Sequence, residues 1–284
     1  MNIKKQITAF LSDASQRLSK NSLEAYAYDL STFQKFVKQK EGDLANLKVP
    51  DFTEFLTSFN TVKTIHRHAA VLNAFLKFTA IPTTALDKAK QKFKKNYKSV
   101  KPSEVISFEK IRDLLNPERY KTPLEIRDLM IMDLLYAGAL NVSELLELRL
   151  EDVDIENQIL TVAKISAAHK IERLMPFGDV TKGYIQAYLK VRNEIDTNYL
   201  SSTKLIVSKK GDRVNRKSIW RLIGMYSRKA GLKIRVTPQN LRTSFIAHLL
   251  HNGISVIDLH HLLGNVDVAT TSALAKRLKE QPPL

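Results

Sequence analysis

The sequence predicts a mainly α-helical protein with a small antiparallel β-sheet, made of a helical N-terminal domain and a mixed α+β C-terminal domain. Glycine and proline are scarce, with nine of each in 284 residues, which suits a chain with many helices. Apolar residues recur at helical spacing through the first part of the chain. Segments that alternate apolar and polar residues lie in the second part, which places the sheet there.

The N-terminal domain is predicted to span residues 1–84 and to contain four short helices. The segment 19–22 offers several N-cap candidates for the second helix, whose apolar positions begin at Leu23. Pro50 suits the first turn of the third helix. The predicted helices cover residues 3–18, 23–37, 49–59 and 62–79.

A basic linker is predicted from residue 85 to residue 106. Its segment 88–101, KAKQKFKKNYKSVK, holds seven lysines and no acidic residue, and it lacks a clean apolar stripe. A run of this kind is usually a solvated stretch of chain. A linker that contacts phosphate groups is the alternative, and both interpretations stay open.

The second domain is predicted to cover residues 107–284. Its helices are expected at residues 107–115, 123–138 and 142–148, and from residues 216, 238, 256 and 269 onward. Two strands, at 158–163 and 172–177, are predicted to pair as a hairpin through a turn at 166–170. Leu205–Val207 is predicted to be a third short strand that ends in a turn at residues 209–212.

Composition narrows the classes of function. The chain has 45 lysine and arginine residues against 29 aspartate and glutamate residues, and this formal charge of +16 favours a polyanionic partner, above all nucleic acid. The absence of cysteine excludes disulfides and thiolate metal sites, and the seven histidines show no ligand spacing. The first residues lack the apolar core of a signal peptide, and no apolar run reaches membrane-spanning length. A cytoplasmic protein without a membrane partner is therefore expected.

Blocks that resemble one known family are spread along nearly the whole chain. Residues 19–30, SKNSLEAYAYDL, resemble S-x-N-T-L-x-x-Y-x-x-D-L, residues 136–145, YAGALNVSEL, resemble Y-x-x-G-L-R-V-S-E-L, and residues 172–176, ERLMP, resemble E-R-L-V-P. Near the C-terminus, TPQNLR, HLLHNG, LGNVD and TTSAL stand where that family has TPHxLRH, HLLxxG, LGH and TTxxY. The chain therefore resembles the Xer-like tyrosine recombinases of the phage-integrase family.

This resemblance implies a fold and a chemistry. The expected fold is a helical SAM-like core-binding domain that binds DNA, followed by a tyrosine-recombinase catalytic-type domain. In the family a tyrosine hydroxyl attacks a DNA phosphate and becomes covalently attached to it. Arginines stabilise the extra charge of the transition state, and a hairpin lysine and further residues, usually histidines, assist proton transfer. No cofactor or metal is implied.

The resemblance also places the family's pocket positions on this chain. They fall on Asn141, Lys164, Gln239, Arg242, Asn265 and Leu274. Lys170 is a second candidate for the hairpin lysine, and the choice between it and Lys164 stays open. Of the five other positions, Arg242 alone keeps the family's residue type, and the side chain of Leu274 cannot attack a phosphate. The resemblance with these differences predicts a pseudoenzyme with no intact catalytic set.

Several residues have competing interpretations. Arg242 either pairs with a carboxylate such as Glu144 or still holds a DNA phosphate. Asn141, Gln239 and Asn265 either contact phosphate weakly or satisfy one another's hydrogen bonds. Ser272 or Thr271 is conceivable as a substitute nucleophile, whereas Tyr226, the last tyrosine in the chain, is expected to be packed inside a helix.

The leading functional prediction is an Xer/integrase-like protein that binds double-stranded DNA, is related to DNA recombination and integration, and lacks strand cleavage. An active recombinase is a candidate second partner. The residues predicted to contact DNA are Arg242, Lys164, Lys170, Lys63, Arg67, Lys92, Lys94, Lys95, Arg213, Arg216, Lys217 and Arg221. One alternative is a divergent recombinase whose partner supplies the nucleophile, and another is a protein-interaction module that no longer binds DNA. Because few residues follow Leu274, weak or no self-assembly without DNA is expected.

Overall fold

The computed structural model describes residues 3–18, 20–40, 43–93, 104–165, 170–195, 203–208, 214–264 and 268–279. The chain divides into two compact units, Met1–Lys101 with Ile165–Lys170 and Pro102–Lys164 with Ile171–Leu284. Helices dominate both units, and one three-stranded sheet lies in the second. The predicted fold class, mainly α with a small antiparallel sheet, is confirmed.

The first unit contains five described helices. They are α1 (Ile3–Ser15), α2 (Lys20–Gln39), α3 (Val49–Thr57), α4 (Val62–Phe78) and α5 (Thr84–Gln91). The helix α2 begins at Lys20, three residues before the predicted apolar start, so the N-cap candidates after Ser19 lie inside the helix. Thr61 caps α4, because its side chain accepts a hydrogen bond from the backbone N–H of Thr64.

Aromatic rings fill the core of this unit. The rings of Phe33 and Phe55 meet edge to face with their centroids 5.1 Å apart, and Phe33 stacks on Phe52 at 6.2 Å. The ring of His68 stacks on Phe59 with a centroid distance of 3.9 Å, and burial lowers the pKa of His68 below its usual value. His68 is therefore a packing residue of this core.

The helix α5 lies in residues that the sequence pattern places at the start of the linker. Its Leu86 and Ala89 are completely buried, and Phe93 just beyond it is 9 % exposed. These three residues form a narrow apolar stripe that the surrounding lysines hide in the sequence. The lysine-rich segment 88–101 therefore begins within a helix that packs on the N-terminal core. Its residues from 94 to 101 lie outside the described chain.

The second unit contains eight described helices and three strands. The helices are α6 (Phe108–Leu114), α7 (Pro123–Tyr136), α8 (Val142–Glu147), α9 (Asp179–Ile195), α10 (Arg216–Lys229), α11 (Pro238–His251), α12 (Val256–Leu263) and α13 (Val268–Lys279). The strands are β1 (Val153–Asp154), β2 (Ile159–Ile165) and β3 (Lys170–Pro176), in the order β1-β2-β3. The strands β1 and β2 are antiparallel, with Val153 opposite Leu160.

The helix α7 is the centre of this unit. Every residue from Asp128 to Tyr136 is buried, because α7 packs against α8, α9 and α11. Its start is fixed by Pro123 in the first turn and by a capping box in which Thr122 and Glu125 satisfy each other's backbone N–H groups. The apolar helix predicted at 123–138 is confirmed, and its described end comes two residues earlier.

One prediction about the second unit is wrong, and two elements of this unit have no counterpart in the sequence pattern. Leu205–Val207 is not a strand, since only Lys204 makes an isolated bridge, with Arg149. These three apolar residues are buried in the core, so their composition reflects burial and not pairing in the sheet. The third strand is instead β1, which the sequence pattern did not predict, and the long helix α9 has no counterpart among the predicted elements.

Candidate functional site

The carboxylate of Glu144 is the centre of the site. Glu144 lies on α8, is 6 % exposed, and accepts hydrogen bonds from Arg173 Nη1 at 3.0 Å and from Arg242 Nη1 at 3.4 Å. A third donor, the backbone N–H of Asn141, lies 2.8 Å from Glu144 Oε2. Two arginines therefore share one carboxylate. We call these three side chains, Glu144, Arg173 and Arg242, the Glu144 cluster, and their net charge is +1.

Arg173 comes from the strand β3 and is held on three sides. Both of its Nη atoms reach Glu144, and its Nε donates to the backbone carbonyl of Leu262 at 3.0 Å. Gly264 ends α12 in the left-handed region at φ 58°, and a Cβ atom added there would lie 2.8 Å from Arg173 Cδ. The glycine therefore serves both the helix end and the close approach of Arg173.

Arg242 lies one turn into α11 and bridges two elements. Its Nη1 donates to the backbone carbonyl of Ala139 at 2.6 Å and to Glu144, while its Nε and Nη2 make no hydrogen bond with the described residues. Burial lowers the pKa of Arg242 from its usual value, and Glu144 opposes that shift, so the guanidinium stays charged. Of the two interpretations of Arg242, the pairing with Glu144 is confirmed, and the contact with a DNA phosphate stays a prediction.

Asn141 is used for backbone structure. It is the N-cap of α8, and its Oδ1 accepts from the backbone N–H groups of Ser143 at 2.9 Å and Glu144 at 3.0 Å. Glu144 returns a bond to the Asn141 backbone N–H, which completes a capping box. Asn141 therefore ends the turn before α8 and brings the Glu144 carboxylate towards the arginines.

Gln239 also bonds within its own helix. Its side chain is exposed at the start of α11, and Nε2 donates to the Thr243 hydroxyl at 3.1 Å. One interpretation of the sequence expected Asn141 and Gln239 to satisfy each other's hydrogen bonds. The structure contradicts it, because each side chain bonds within its own helix. Asn265 lies outside the described residues, as do the side chains of Lys164 and Lys170, although Lys164 belongs to β2 and Lys170 to β3.

Leu274 lies in the middle of α13. Its side chain is partly buried and packs against the apolar core of the unit. Thr271, one turn earlier, is fully buried, and its hydroxyl lies 3.3 Å from His260 Nδ1. Ser272 is exposed on the same helix. The face of α13 that carries Leu274 and Thr271 is therefore committed to packing.

Tyr226 is packed as expected. It is 4 % exposed in α10, and its hydroxyl donates to Asp128 Oδ2 at 3.3 Å. Burial raises its pKa far above the usual value for tyrosine. This phenol is therefore a poor candidate for an activated nucleophile.

Apart from Arg242, Lys164 and Lys170, the predicted DNA-contacting residues fall into three groups. Lys63, Lys92, Lys217 and Arg221 are exposed. Arg67 is also exposed, yet it forms an ion pair with the buried Asp29, and Arg216 donates to the Ser143 hydroxyl at 2.5 Å. Lys94, Lys95 and Arg213 lie outside the described residues.

The described residues were also compared with the requirements of a metal site and of a membrane-spanning helix. Among these residues, no group of three or more histidine, aspartate or glutamate side chains could hold a metal ion. None of the described helices is long and apolar enough to cross a membrane.

Sequence reasoning missed the role of Arg173. The residue lies in the block ERLMP, for which the sequence predicts a strand. An arginine at an inward position of a strand is a useful signal, because charged residues are rarely buried without a partner. The alternation in β3, with Arg173 and Met175 buried and Glu172 and Leu174 exposed, carries that signal.

Two family models match the chain. The model described as Phage integrase family matches residues 104–280, and the model described as Phage integrase, N-terminal SAM-like domain matches residues 7–81. Among curated proteins, tyrosine recombinase XerA of Pyrococcus furiosus is 31% identical over 267 residues, which cover 92% of this chain and 87% of that protein. Tyrosine recombinase XerD of Staphylococcus haemolyticus is 29% identical, with 93% and 90% covered.

Solved structures share the fold. The integrase of the transposon Tn1549 in complex with transposon right end DNA superposes with a TM-score of 0.73 at 15% identity, covering 96% of this chain and 94% of that one. The XerH site-specific recombinase bound to difH substrate gives a TM-score of 0.70 at 16% identity, with 97% and 93% covered. The XerA recombinase gives 0.55 at 20% identity, with 97% and 96% covered.

Proposed function

We propose that this chain, which belongs to the phage integrase family, is a member that binds double-stranded DNA without cleaving it. The proposal separates two properties that an active tyrosine recombinase combines. One is affinity for duplex DNA, and the other is transfer of a strand to a tyrosine. The proposed protein keeps the affinity for duplex DNA and lacks the transfer of a strand to a tyrosine.

Leu274 at the nucleophile position is the main observation behind the proposed loss of strand cleavage. The alignment of TTSAL with the family pattern TTxxY puts Leu274 at that position, and its side chain packs against the core. No tyrosine follows Tyr226 in the sequence, and Tyr226 is buried against Asp128. Without a nucleophile the covalent intermediate cannot form, however well the phosphate is held.

The replaced arginine supports the same conclusion. Asn141 stands at the position of the family's first arginine and is occupied as a helix cap. An amide lacks the fixed charge and the planar fork with which arginine holds a phosphate. Loss of one such donor typically slows a reaction by about 100- to 1000-fold, in addition to the loss of the nucleophile.

Charge supports the affinity for DNA. The chain has a formal charge of +16, and the Glu144 cluster keeps an excess of one positive charge in the region that would face the phosphate. The solved relatives include integrases and XerH in complexes with DNA. Binding that neutralises phosphates with lysine and arginine releases counterions, so the proposed affinity falls steeply with salt.

The proposed role is that of an accessory factor at a recombination site. A chain that binds the same kind of DNA as an active recombinase, but cannot cut it, would occupy or share the site without joining strands. Pairing with an active homologue is the simplest form of that role. A cleavage assay with an active homologue present decides whether that homologue supplies a tyrosine to this chain's half of the site.

A cleavage assay tests the loss of activity. The substrate is a nicked suicide duplex built on sequences recovered when the protein enriches genomic fragments. The expected result is a retarded complex on a native gel and no covalent adduct on a denaturing gel. A matched variant with Asn141→Arg, Gln239→His, Asn265→His and Leu274→Tyr tests whether the missing residues are sufficient to restore the adduct.

Each outcome decides between hypotheses. An adduct with the unaltered chain alone would overturn the proposal and point to another nucleophile, with Ser272→Ala as the next variant. An adduct formed only when an active homologue is added would favour the divergent recombinase whose partner supplies the tyrosine. A chain that binds no duplex even at low salt would favour a protein-interaction module.

A further inference from the structure

A cavity of about 850 Å³ opens on the second unit, on residues that take no part in the Glu144 cluster. Its walls come from α6, from the segment after α6, from the end of α7 and from the start of α9. Ile111 and Leu115 provide apolar floor, and the exposed Phe108 and Val180 stand at the rim. A concave, mostly apolar space of this size is typical of sites for small organic molecules.

Asp133 in the wall of this cavity lacks part of its hydrogen bonding. The residue lies on α7 and is 3 % exposed, and Thr181 on α9 provides one side-chain hydrogen bond. Its Oδ2 is buried and has no hydrogen-bond partner among the described residues. A buried carboxylate oxygen without a donor is costly, so a carboxyl group left in this state calls for an explanation.

The charges around the cavity are opposite in sign to the charge of the protein. Three aspartates, Asp113, Asp133 and Asp179, line it together with one arginine, Arg112. Asp179 also accepts a hydrogen bond from Gln158 Nε2 at 2.7 Å, which holds that carboxylate at the edge. On a chain with a formal charge of +16, a local excess of acidic groups favours a cationic ligand and disfavours nucleic acid.

We propose that this cavity is a binding site for a small organic cation, an amine with an apolar body, whose ammonium group donates to Asp133 Oδ2. The apolar body lies against Ile111 and Leu115, between the rings of Phe108 and Tyr136. An ammonium group supplies the donor that Asp133 lacks, and a charge-assisted hydrogen bond to a carboxylate is among the stronger polar contacts.

The cavity is independent of the proposed DNA function. Its residues belong to a different part of the second unit from Asn141, Arg173 and Arg242, and its acidic lining would repel phosphate. The two hypotheses can therefore fail separately. Binding of an amine can be measured on the protein without DNA, and DNA binding can be measured without the amine.

The test uses 2-phenylethylamine as the probe, with the neutral 2-phenylethanol and the anionic phenylacetate as matched compounds. Protein-observed NMR titration of the full chain measures the three dissociation constants and locates the shifted residues. The expected order is amine tighter than alcohol and alcohol tighter than phenylacetate. Asp133→Asn keeps the shape of the side chain and is expected to weaken the amine by at least about tenfold, with little effect on the alcohol.

Two further variants protect the test against a trivial loss of folding. Asp113→Asn changes an exposed carboxylate of the same cavity and is expected to weaken the amine less than Asp133→Asn does. Val180→Trp fills the rim from an exposed position and is expected to block all three compounds while the circular dichroism spectrum is unchanged. Equal binding of amine and alcohol, an unaffected Asp133→Asn variant, or no shift with any probe at millimolar concentration would each overturn the assignment.

Discussion

Arg242 and Ala139 are joined by a hydrogen bond of 2.6 Å between the guanidinium Nη1 and the backbone carbonyl, across 103 positions of the chain. Ala139 has a φ of 44°, in the left-handed region that residues with a Cβ atom rarely adopt. It follows Gly138 in the turn between α7 and α8. The arginine of the site therefore holds a strained peptide in place, just before the cap that orients Glu144.

Replacing Ala139 with glycine should cost less stability than the same change at a neighbouring alanine with ordinary backbone angles. A left-handed conformation costs an alanine roughly 1 kcal/mol, and a glycine adopts it without this strain. Two losses oppose this gain, because glycine is more flexible in the unfolded chain and because the variant loses the completely buried methyl group of Ala139, so a net change of less than about 1 kcal/mol is expected. Urea denaturation of the Ala139→Gly variant measures this difference.

The control for this prediction is Ala137→Gly. Ala137 lies two residues earlier with a φ of −67°, where glycine brings no relief of strain, and the variant should be destabilised. If both glycine variants lose stability equally, the conformation of Ala139 is not the source of strain.

Removing the charge of Glu144 should destabilise the site and make it respond to anions. Glu144→Gln leaves Arg173 and Arg242 without their shared carboxylate, and loss of one partner from a buried ion pair typically costs about 3 kcal/mol. Sulfate or phosphate can then take the place of the carboxylate. A thermal melt should show a lower midpoint that rises more steeply with added sulfate than the midpoint of the unaltered chain.

Glu147→Gln is the matched control on the same helix. Glu147 pairs with Lys204, and its side chain is 45% exposed, so its loss should change stability by less than about 1 kcal/mol. An equal response to sulfate in the two variants would mean that the anion binds elsewhere.

The helices show how far the sequence predicts this fold. The starts of α4, α7 and α11 follow from local chemistry, since Thr61, Thr122 and Thr237 each cap the backbone that follows them. Leu205–Val207 shows the limit, because a short buried apolar run looks the same whether its backbone pairs in a sheet or not. Which of the two occurs depends on partners far away in sequence.

The site was predictable to a different degree. The resemblance predicts the positions of Asn141, Gln239, Arg242 and Leu274, and Glu144 is one of two predicted partners of Arg242. The third member of the cluster, Arg173, was missed because its carboxylate partner lies 29 positions away on another element. The cap made by Asn141 is also absent from the prediction, because the resemblance concerns only the arginine that the family has at this position. Tertiary pairing of charges is not encoded in a local pattern.

The cap predicts a cost for introducing the arginine that the resemblance predicts at position 141. Asn141→Arg removes an N-cap that typically contributes about 1 kcal/mol and places a third guanidinium beside Arg173 and Arg242. The variant should have a lower free energy of unfolding, and it should bind duplex DNA more tightly at low salt. Denaturation and a DNA titration on the same preparation measure both effects.

Asn141→Asp separates the two contributions. Aspartate keeps the cap, so stability should fall less than in Asn141→Arg, and it opposes phosphate, so DNA affinity should fall. A loss of DNA affinity in both variants would contradict the placement of this position near the DNA.

The salt dependence of DNA binding tests the contribution of α10. Lys217 and Arg221 are exposed on this helix, and each phosphate contact contributes about 0.9 to the slope of log K against log salt concentration. The Lys217→Gln and Arg221→Gln double variant should therefore reduce the slope by about 2. Lys110→Gln, on the exposed face of α6, is the control and should leave the slope nearly unchanged.

Asp133 predicts a pH dependence of stability. Burial raises its pKa to about 7, with the Thr181 hydrogen bond opposing the shift. The ordinary pKa of aspartate is about 3.9, so between about pH 4 and pH 7 the folded chain binds more protons at this group than the unfolded chain does. The contribution of Asp133 to stability is therefore intact below about pH 4 and is lost as the pH rises towards 7, by up to about 1.4 kcal/mol per pH unit.

The Asp133→Asn variant isolates this effect from the other carboxylates. Asparagine does not titrate, so the variant does not lose this contribution as the pH rises. Its free energy of unfolding should therefore increase relative to that of the unaltered chain between about pH 5 and about pH 7.5. Asp179→Asn, at the edge of the same cavity, is the matched variant, because it replaces an exposed carboxylate. Parallel curves for Asp133→Asn and the unaltered chain would mean that Asp133 is ionised throughout this range, which would contradict the prediction.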